Sequence, residues 1–198
     1  VAPGTATHVE GRQGSDRSRH PSGDVCTAIL VERLENAPKG AFEILGTHCF
    51  TEFSNNIRNN FGFMSHAEDR DVDDRDQLFQ QEGRKVFKEV CPLAVDHIST
   101  HLATFGYSPE QTRRFWLHQA NLGMNQLIAK KLLGRDATLD DAPVILDEFA
   151  NTASAGSIIA FHRHHADIAA GEVGVICSFG AGYSIGSVVV KRLSSADA

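Results

Sequence analysis

The chain has few of the features that would announce its class. Its four cysteines, Cys26, Cys49, Cys91 and Cys177, lie far apart and form no CxxC pair, so neither a zinc ribbon nor a dithiol redox motif is present. No apolar stretch of the secretory kind precedes them, which points to reduced thiols and a cytoplasmic protein. Apolar runs such as residues 174–177 and 187–190 are strand-length, far short of the ~20 residues that a membrane-crossing helix needs. Excess positive charge is missing too. The 19 basic and 25 acidic residues leave a formal net charge of -6, which argues against nucleic acid or a membrane surface as partner. What is present is apolar material, 41% of 198 residues, enough to bury the core of one domain or of half a duplicated one.

Residues 1–22 are rich in Gly, Ser, Thr, Arg and His and lack apolar periodicity, so a disordered leader is expected there, with the ordered region at 23–198. Alternation of Val25, Thr27, Ile29 and Val31 predicts a first strand, and a second is expected at 42–50 after the turn at residues 36–40. The stretch 66–76 sets six carboxylates against Arg70 and Arg75 and reads as a solvated face. Between 77 and 102, Leu78, Val86, Phe87, Val90, Leu93, Ile98 and Leu102 recur at helical spacing, with Pro92 expected to kink or restart the helix. A strand at 115–117, a helix at 121–133, a strand at 144–146 and a helix at 153–170 follow. Strands at 173–179 and 183–190 are joined by Gly180-Ala181-Gly182, a link long enough only for an antiparallel hairpin. The sum is an α/β fold, a mixed sheet flanked by helices.

Two polar residues stand where such sheets collect ligands. His118, in Trp116-Leu117-His118-Gln119-Ala120-Asn121, falls at the C-terminal end of a strand, and Asn151, in Ala150-Asn151-Thr152-Ala153-Ser154-Ala155-Gly156, falls just before a helix built from small residues. Singly, each has an ordinary structural reading, a core histidine bonded to backbone or an asparagine cap. Together they suggest convergence at one edge.

His118-Gln119-Ala120-Asn121, Ala129-Lys130-Lys131-Leu132, residues 151–157 and Phe179-Gly180-Ala181-Gly182-Tyr183 resemble, in order, the C-terminal motifs of β-ketoacyl-acyl carrier protein synthase III. Residues 23–28 resemble that family's Gly-Asp strand. The resemblance implies the C-terminal half of a thiolase-like fold, and a fatty-acid-forming acyltransferase that carries out a decarboxylating Claisen condensation between an acyl thioester and malonyl-acyl carrier protein. It implies catalytic roles for His118 and Asn151, a substrate-binding role for Phe179, Gly180, Ala181 and Gly182, and carrier-protein contacts for Lys130 and Lys131. Acyl carrier protein and acyl-CoA or acyl-carrier thioesters are the implied partners, the complete enzyme is a homodimer, and no cofactor or metal is expected. The chain departs from the family at Ala181, where glycine is common, and at Gly123, where an arginine often docks the carrier.

The family's acylated cysteine precedes the Gly-Asp strand at the start of a buried helix, where the thiol pKa is lowered. None of the four cysteines occupies such a place; Cys91, beside Pro92, comes nearest to a helix start. The chain by itself is therefore expected to condense nothing. Alternatives are a non-catalytic fragment or partner half, or another thiolase-superfamily acyl-thioester synthase. A metal site at His162, His164 and His165 is a further alternative, set against a polar helix face.

Overall fold

The computed structural model describes residues 23–58 and 80–194; the expected leader at 1–22 and the acidic stretch at 66–76 lie outside them. A four-stranded sheet forms the centre, in the order β1 (Phe42–Thr51), β6 (Ser184–Arg192), β5 (Val173–Gly180), β4 (Arg114–Leu117). The first three strands pair antiparallel and β4 pairs parallel with β5, so the sheet is mixed as expected. The short strands β2 (Ile57–Arg58) and β3 (Gln80–Gln81) pair separately, ahead of helix α1 (Gly83–Ala103).

Period-two alternation in β4 and β5 splits the core into two layers. Phe115, Leu117, Val175 and Cys177 join Val90, Ala94 and Ile98 of α1 and Ile128 and Leu132 of α2 (Leu122–Leu133) on one face. Trp116 and Ile176 point the other way, onto Ile159 and Ala160 of α4 (Ala155–Arg163). The Trp116 ring approaches Gly174 of β5 so closely that any side chain there would collide with it. Helix α1 runs on through Pro92 as one helix, without the restart that is one of the two expectations there. Pro92 is exposed, so the carbonyl that loses its partner can bond water instead.

Three expectations from the sequence are overturned. Residues 25–31 form no strand; no strand among the described residues pairs with them, and Ile29, Leu30 and Val31 stand exposed. Residues 144–146 form no strand either. Gln119 Nε2 donates to the Pro143 carbonyl at 3.2 Å and Ile145 N–H donates to Gln119 Oε1 at 3.1 Å, so a buried side chain satisfies the backbone groups that a ladder would have used. Leu146–Phe149 is instead a short helix, α3. The helix expected at 153–170 stops at Arg163, because the carbonyl of His164 turns inward to accept from Arg114 Nη1 at 2.8 Å and Trp116 Nε1 at 3.0 Å. His165 Nδ1 sits 3.0 Å from the Phe161 carbonyl and 2.9 Å from that of His162, and among the described residues no group of three or more His, Cys, Asp or Glu side chains is placed to hold a metal ion.

Between α1 and the sheet lies a histidine cluster that the sequence pattern did not flag. Ser187 Oγ on β6 is 2.8 Å from His97 Nε2 and 2.7 Å from His101 Nδ1, and the exposed His48 of β1 stacks on His97 at 4.5 Å. Burial first, then the neighbouring His48 and His101, hold the His97 pKa down to about 4, with Asp96 a weak counterweight. The same forces lower His101. The unfolded chain therefore binds more protons between pH 6.5 and about 4, so the stabilising contribution is complete above 6.5 and is lost as pH falls toward 4. His97 should add a slope of at most about 1.4 kcal/mol per pH unit in that window, and His101 a contribution of the same sign. Urea unfolding at pH 7 and pH 5 should show the loss, and His97→Gln, which keeps a donor near Ser187 but cannot titrate, should flatten it; an unchanged slope would refute the assignment.

Candidate condensing site at the edge of the sheet

His118 leaves the C-terminal end of β4 and is buried, as is Gln119, which bonds the Leu117 carbonyl at 2.9 Å. The chain turns at once, with Ala120 N–H bonded to the His118 carbonyl at 3.0 Å, and Asn121 caps α2 by accepting from Met124 N–H at 2.9 Å. Gly134, in the left-handed region at φ 65°, ends that helix.

The Asn151 segment is pinned from three sides. A Cβ at position 156 would press on Gln119 at 3.0 Å, so glycine lets Gln119 pack closely under the first turn of α4 as well as replace a strand. Ser157 Oγ bonds the Ser154 carbonyl at 3.0 Å and Ser178 Oγ of β5 at 2.8 Å. Gly23 N–H donates to the Asn151 carbonyl at 3.1 Å. Within the segment Asn151 Oδ1 accepts from Ala153 N–H at 3.0 Å, which leaves the Nδ2 hydrogens to donate outward. Two alanines flank it in the left-handed half of backbone space, Ala150 at φ 54° and Ala153 at φ 52°. Non-glycine residues persist there only where surrounding contacts over-determine them.

His118 faces Phe179 edge-on at 4.8 Å between ring centroids. Its pKa is pushed down to about 4 by burial, partly opposed by a hydrogen bond with the Ala153 backbone, so the ring is neutral at physiological pH. Its Nδ1 is buried and has no partner among the described residues. The turn Gly180-Ala181-Gly182 follows Phe179 directly. Only Gly182 has positive φ, 139°, so alanine at 181 is tolerated without strain. Its far end is clamped by Ser54 N–H to the Gly182 carbonyl at 2.5 Å and Glu52 N–H to the Tyr183 carbonyl at 2.8 Å.

The expected site residues thus divide. His118, the Asn151 segment, Phe179 and the 180–182 turn share one sheet edge. Lys130 and Lys131 stand on the last turn of α2, about 12 Å along its axis from the first, and Lys130 is paired with Asp136 at 2.7 Å. Cys91 lies in mid-helix rather than at a helix start, its thiol pushed up to about 11 by burial, and burial lifts Cys177 to about 12. Cys26 and Cys49 are exposed and outside any helix. The residue that sequence reasoning missed is Gln119; the signal available was an uncharged polar side chain inside an apolar run.

The mixed sheet flanked by helices has the architecture of the C-terminal half of a thiolase-like fold. Residues 102–192 match the family described as 3-oxoacyl-[acyl-carrier-protein (ACP)] synthase III C terminal. The β-ketodecanoyl-[acyl-carrier-protein] synthase of Pseudomonas aeruginosa is 56% identical over 179 residues, 89% of this chain and 51% of that one. A β-ketoacyl-[acyl-carrier-protein] synthase III of Actinobacillus succinogenes is 29% identical over 85% of this chain and 50% of its own length. The chain spans about half the length of these curated relatives. The crystal structure of the 3-oxoacyl-[acyl-carrier-protein] synthase III of Aquifex aeolicus superposes with a TM-score of 0.61 at 21% identity, over 76% of this chain and 44% of that one. No helix among the described residues is long and apolar enough to cross a membrane.

Two measurements test this geometry. In an NMR titration the His118 ring should stay neutral at pH 5 and reach its midpoint near pH 4, and a midpoint at 6.5 would contradict its burial. Ala150→Gly should raise the unfolding free energy by ~1 kcal/mol by releasing the backbone strain, whereas a loss of stability would mean that the alanine is relaxed where it stands.

Proposed function

We propose that this chain supplies the His/Asn half of a decarboxylating Claisen condensation between an acyl thioester and malonyl-acyl carrier protein, in fatty-acid biosynthesis. The observation that carries the reading is the neutral His118, set against Phe179 at the edge that holds Asn151 and the glycine turn. As carbon dioxide leaves a malonyl thioester, the electrons of the broken carbon–carbon bond pass to the thioester oxygen. Neutral N–H donors placed before the reaction stabilise that charge without first losing an ion's hydration. Asn151 Nδ2 is such a donor, and the single N–H of His118 becomes one when it exchanges the Ala153 backbone for the substrate oxygen. The enolate carbon then attacks the acyl carbonyl and a thiolate leaves. Phe179 keeps the departing carboxylate on an apolar wall, which favours its conversion to uncharged carbon dioxide. A backbone amide of the 180–182 turn binds the oxyanion formed on the acyl carbonyl.

The acylated thiol is none of the four cysteines here, since the two buried thiols resist ionisation and the two exposed ones lack a helix start. The acyl group would be held on a cysteine of the other half of the fold, in a homodimeric complete enzyme working in the cytoplasm. Lys131 is the better of the two candidates for the acidic carrier, because Lys130 is engaged by Asp136. The 56% identical relative is named for a β-ketodecanoyl product, so medium-chain acyl thioesters are the first substrates to try.

Purified alone, the chain should form no radiolabelled acyl thioester. Combined with a cysteine-bearing N-terminal half from a synthase III, it should condense acyl and malonyl thioesters, and His118→Ala and Asn151→Ala should each lower kcat by ~100-fold or more. A covalent thioester on Cys26, Cys49, Cys91 or Cys177 would overturn the assignment of the thiol. A reconstituted enzyme indifferent to both substitutions would overturn that of the donors.

A further inference from the structure

We propose that Glu89, on α1, is the positioning residue for the Gly180–Gly182 turn, acting through Tyr183. Tyr183 follows the turn directly and is buried, with only 1% of its surface exposed. Its hydroxyl donates to Glu89 Oε2 at 2.7 Å and accepts from Asn56 Nδ2 at 3.0 Å. Asn56 Nδ2 also donates to Glu89 Oε2 at 2.8 Å, which closes a three-membered network around one carboxylate oxygen. Asn56 is itself fixed: its N–H lies 3.2 Å from Ser54 Oγ, and its carbonyl accepts from Glu82 N–H at 2.8 Å, just ahead of α1.

The need for such an anchor follows from what the turn lacks. Nothing lies within 4 Å of the position a Cβ would take on Gly180, so no side-chain packing holds that flank. Restraint comes from the β5–β6 pairing, from the backbone bonds of residues 52 and 54, and from the Tyr183 hydroxyl. Charge-assisted hydrogen bonds are the stronger kind, and a buried phenol stripped of its acceptor carries the full cost of an unmet donor. Helix α1 therefore sets where the turn sits relative to His118 and Phe179, although Glu89 touches neither. This inference rests on the condensing-enzyme reading for its consequence in catalysis, but not for the restraint itself.

Two readouts separate those parts. By amide hydrogen exchange, Glu89→Leu and Tyr183→Phe should each speed exchange by about tenfold at Glu52 and Ser54, whose N–H groups hold the Tyr183 and Gly182 carbonyls of the turn, while amides in the middle of α2 keep their rates. Glu89→Gln, whose carbonyl oxygen can still accept both bonds, should restore most of the slow exchange. In the enzyme reconstituted with an N-terminal half, Tyr183→Phe should lower kcat by about tenfold and leave KM for the malonyl thioester unchanged. If Glu89→Leu does not fold, Tyr183→Phe decides alone, since it removes one oxygen and keeps the ring. Unaltered exchange at Glu52 and Ser54, or faster exchange with unaltered kcat, overturns the proposal. Absence of condensation in the unmutated reconstituted enzyme counts against the condensing-enzyme reading, and the exchange data then decide whether Glu89 restrains the turn.

Discussion

Arg114 is a buried cation at the foot of β4, and the edge of the sheet is organised around it. Its Nε donates to the Asp140 carbonyl at 2.7 Å and its Nη1 to the His164 carbonyl at 2.8 Å. Asp167 closes a two-pronged pair at 2.6 and 2.7 Å, and Asp140 adds a further short contact. A buried guanidinium is tolerable only when its donors are met, so the segments that supply the acceptors are not free to move independently. One of them carries the connection that runs past Pro143 toward Asn151, and the other ends α4. Asp167 feels the same force: its hydrogen bond with Arg114 is the main cause that holds its carboxyl down to about 2.

Four residues along the strand from that anchor stands His118, and the same strand registers both. The parallel pairing of β4 with β5 sets Leu117 opposite Cys177, which brings His118 beside the end of β5, where Phe179 and the glycine turn begin. Gln119 repeats at the upper end what Arg114 does at the lower. It is a buried polar side chain that donates once to the Leu117 carbonyl of its own strand and spends its other donor and its acceptor on the neighbouring connection, at residues 143 and 145. Between these two clamps the edge of β4 is covered by irregular chain rather than by another strand, with Phe115 N–H bonded to the Asp141 carbonyl at 2.8 Å. The strained alanines beside Asn151 are sustained by this rigidity, because a looser frame would let them relax. Pre-organisation of this kind is what a neutral donor pair needs if it is to meet a developing charge without rearranging.

Legibility varied with how local the deciding physics is. The last two strands were readable because their alternation and the short glycine link leave one pairing, and α2 because Asn121 and Gly134 mark its ends. The exposed stretch at 25–31 misled because alternation marks a segment that can become a strand, whereas a strand also needs a partner. Residues 144–146 misled for a related reason, since the partner that satisfies them is a side chain from a different motif.

By itself, then, the sequence determined the alternation and punctuation of the hairpin and the helical stripe of α1, carried by local spacing, and it offered His118, Asn151, Phe179 and the glycine turn as candidates through motif resemblance. Only the tertiary structure decided that Asn151 is oriented with its amide hydrogens outward, that burial keeps His118 neutral, and that Lys130 is already paired. It alone brought Glu89, Tyr183 and Asn56 onto one carboxylate oxygen, and His97, His101 and Ser187 into one buried cluster. The physical reason is common to these cases. Hydrogen-bond satisfaction and desolvation depend on which residues become neighbours across tens of positions, and no local pattern in the chain encodes that.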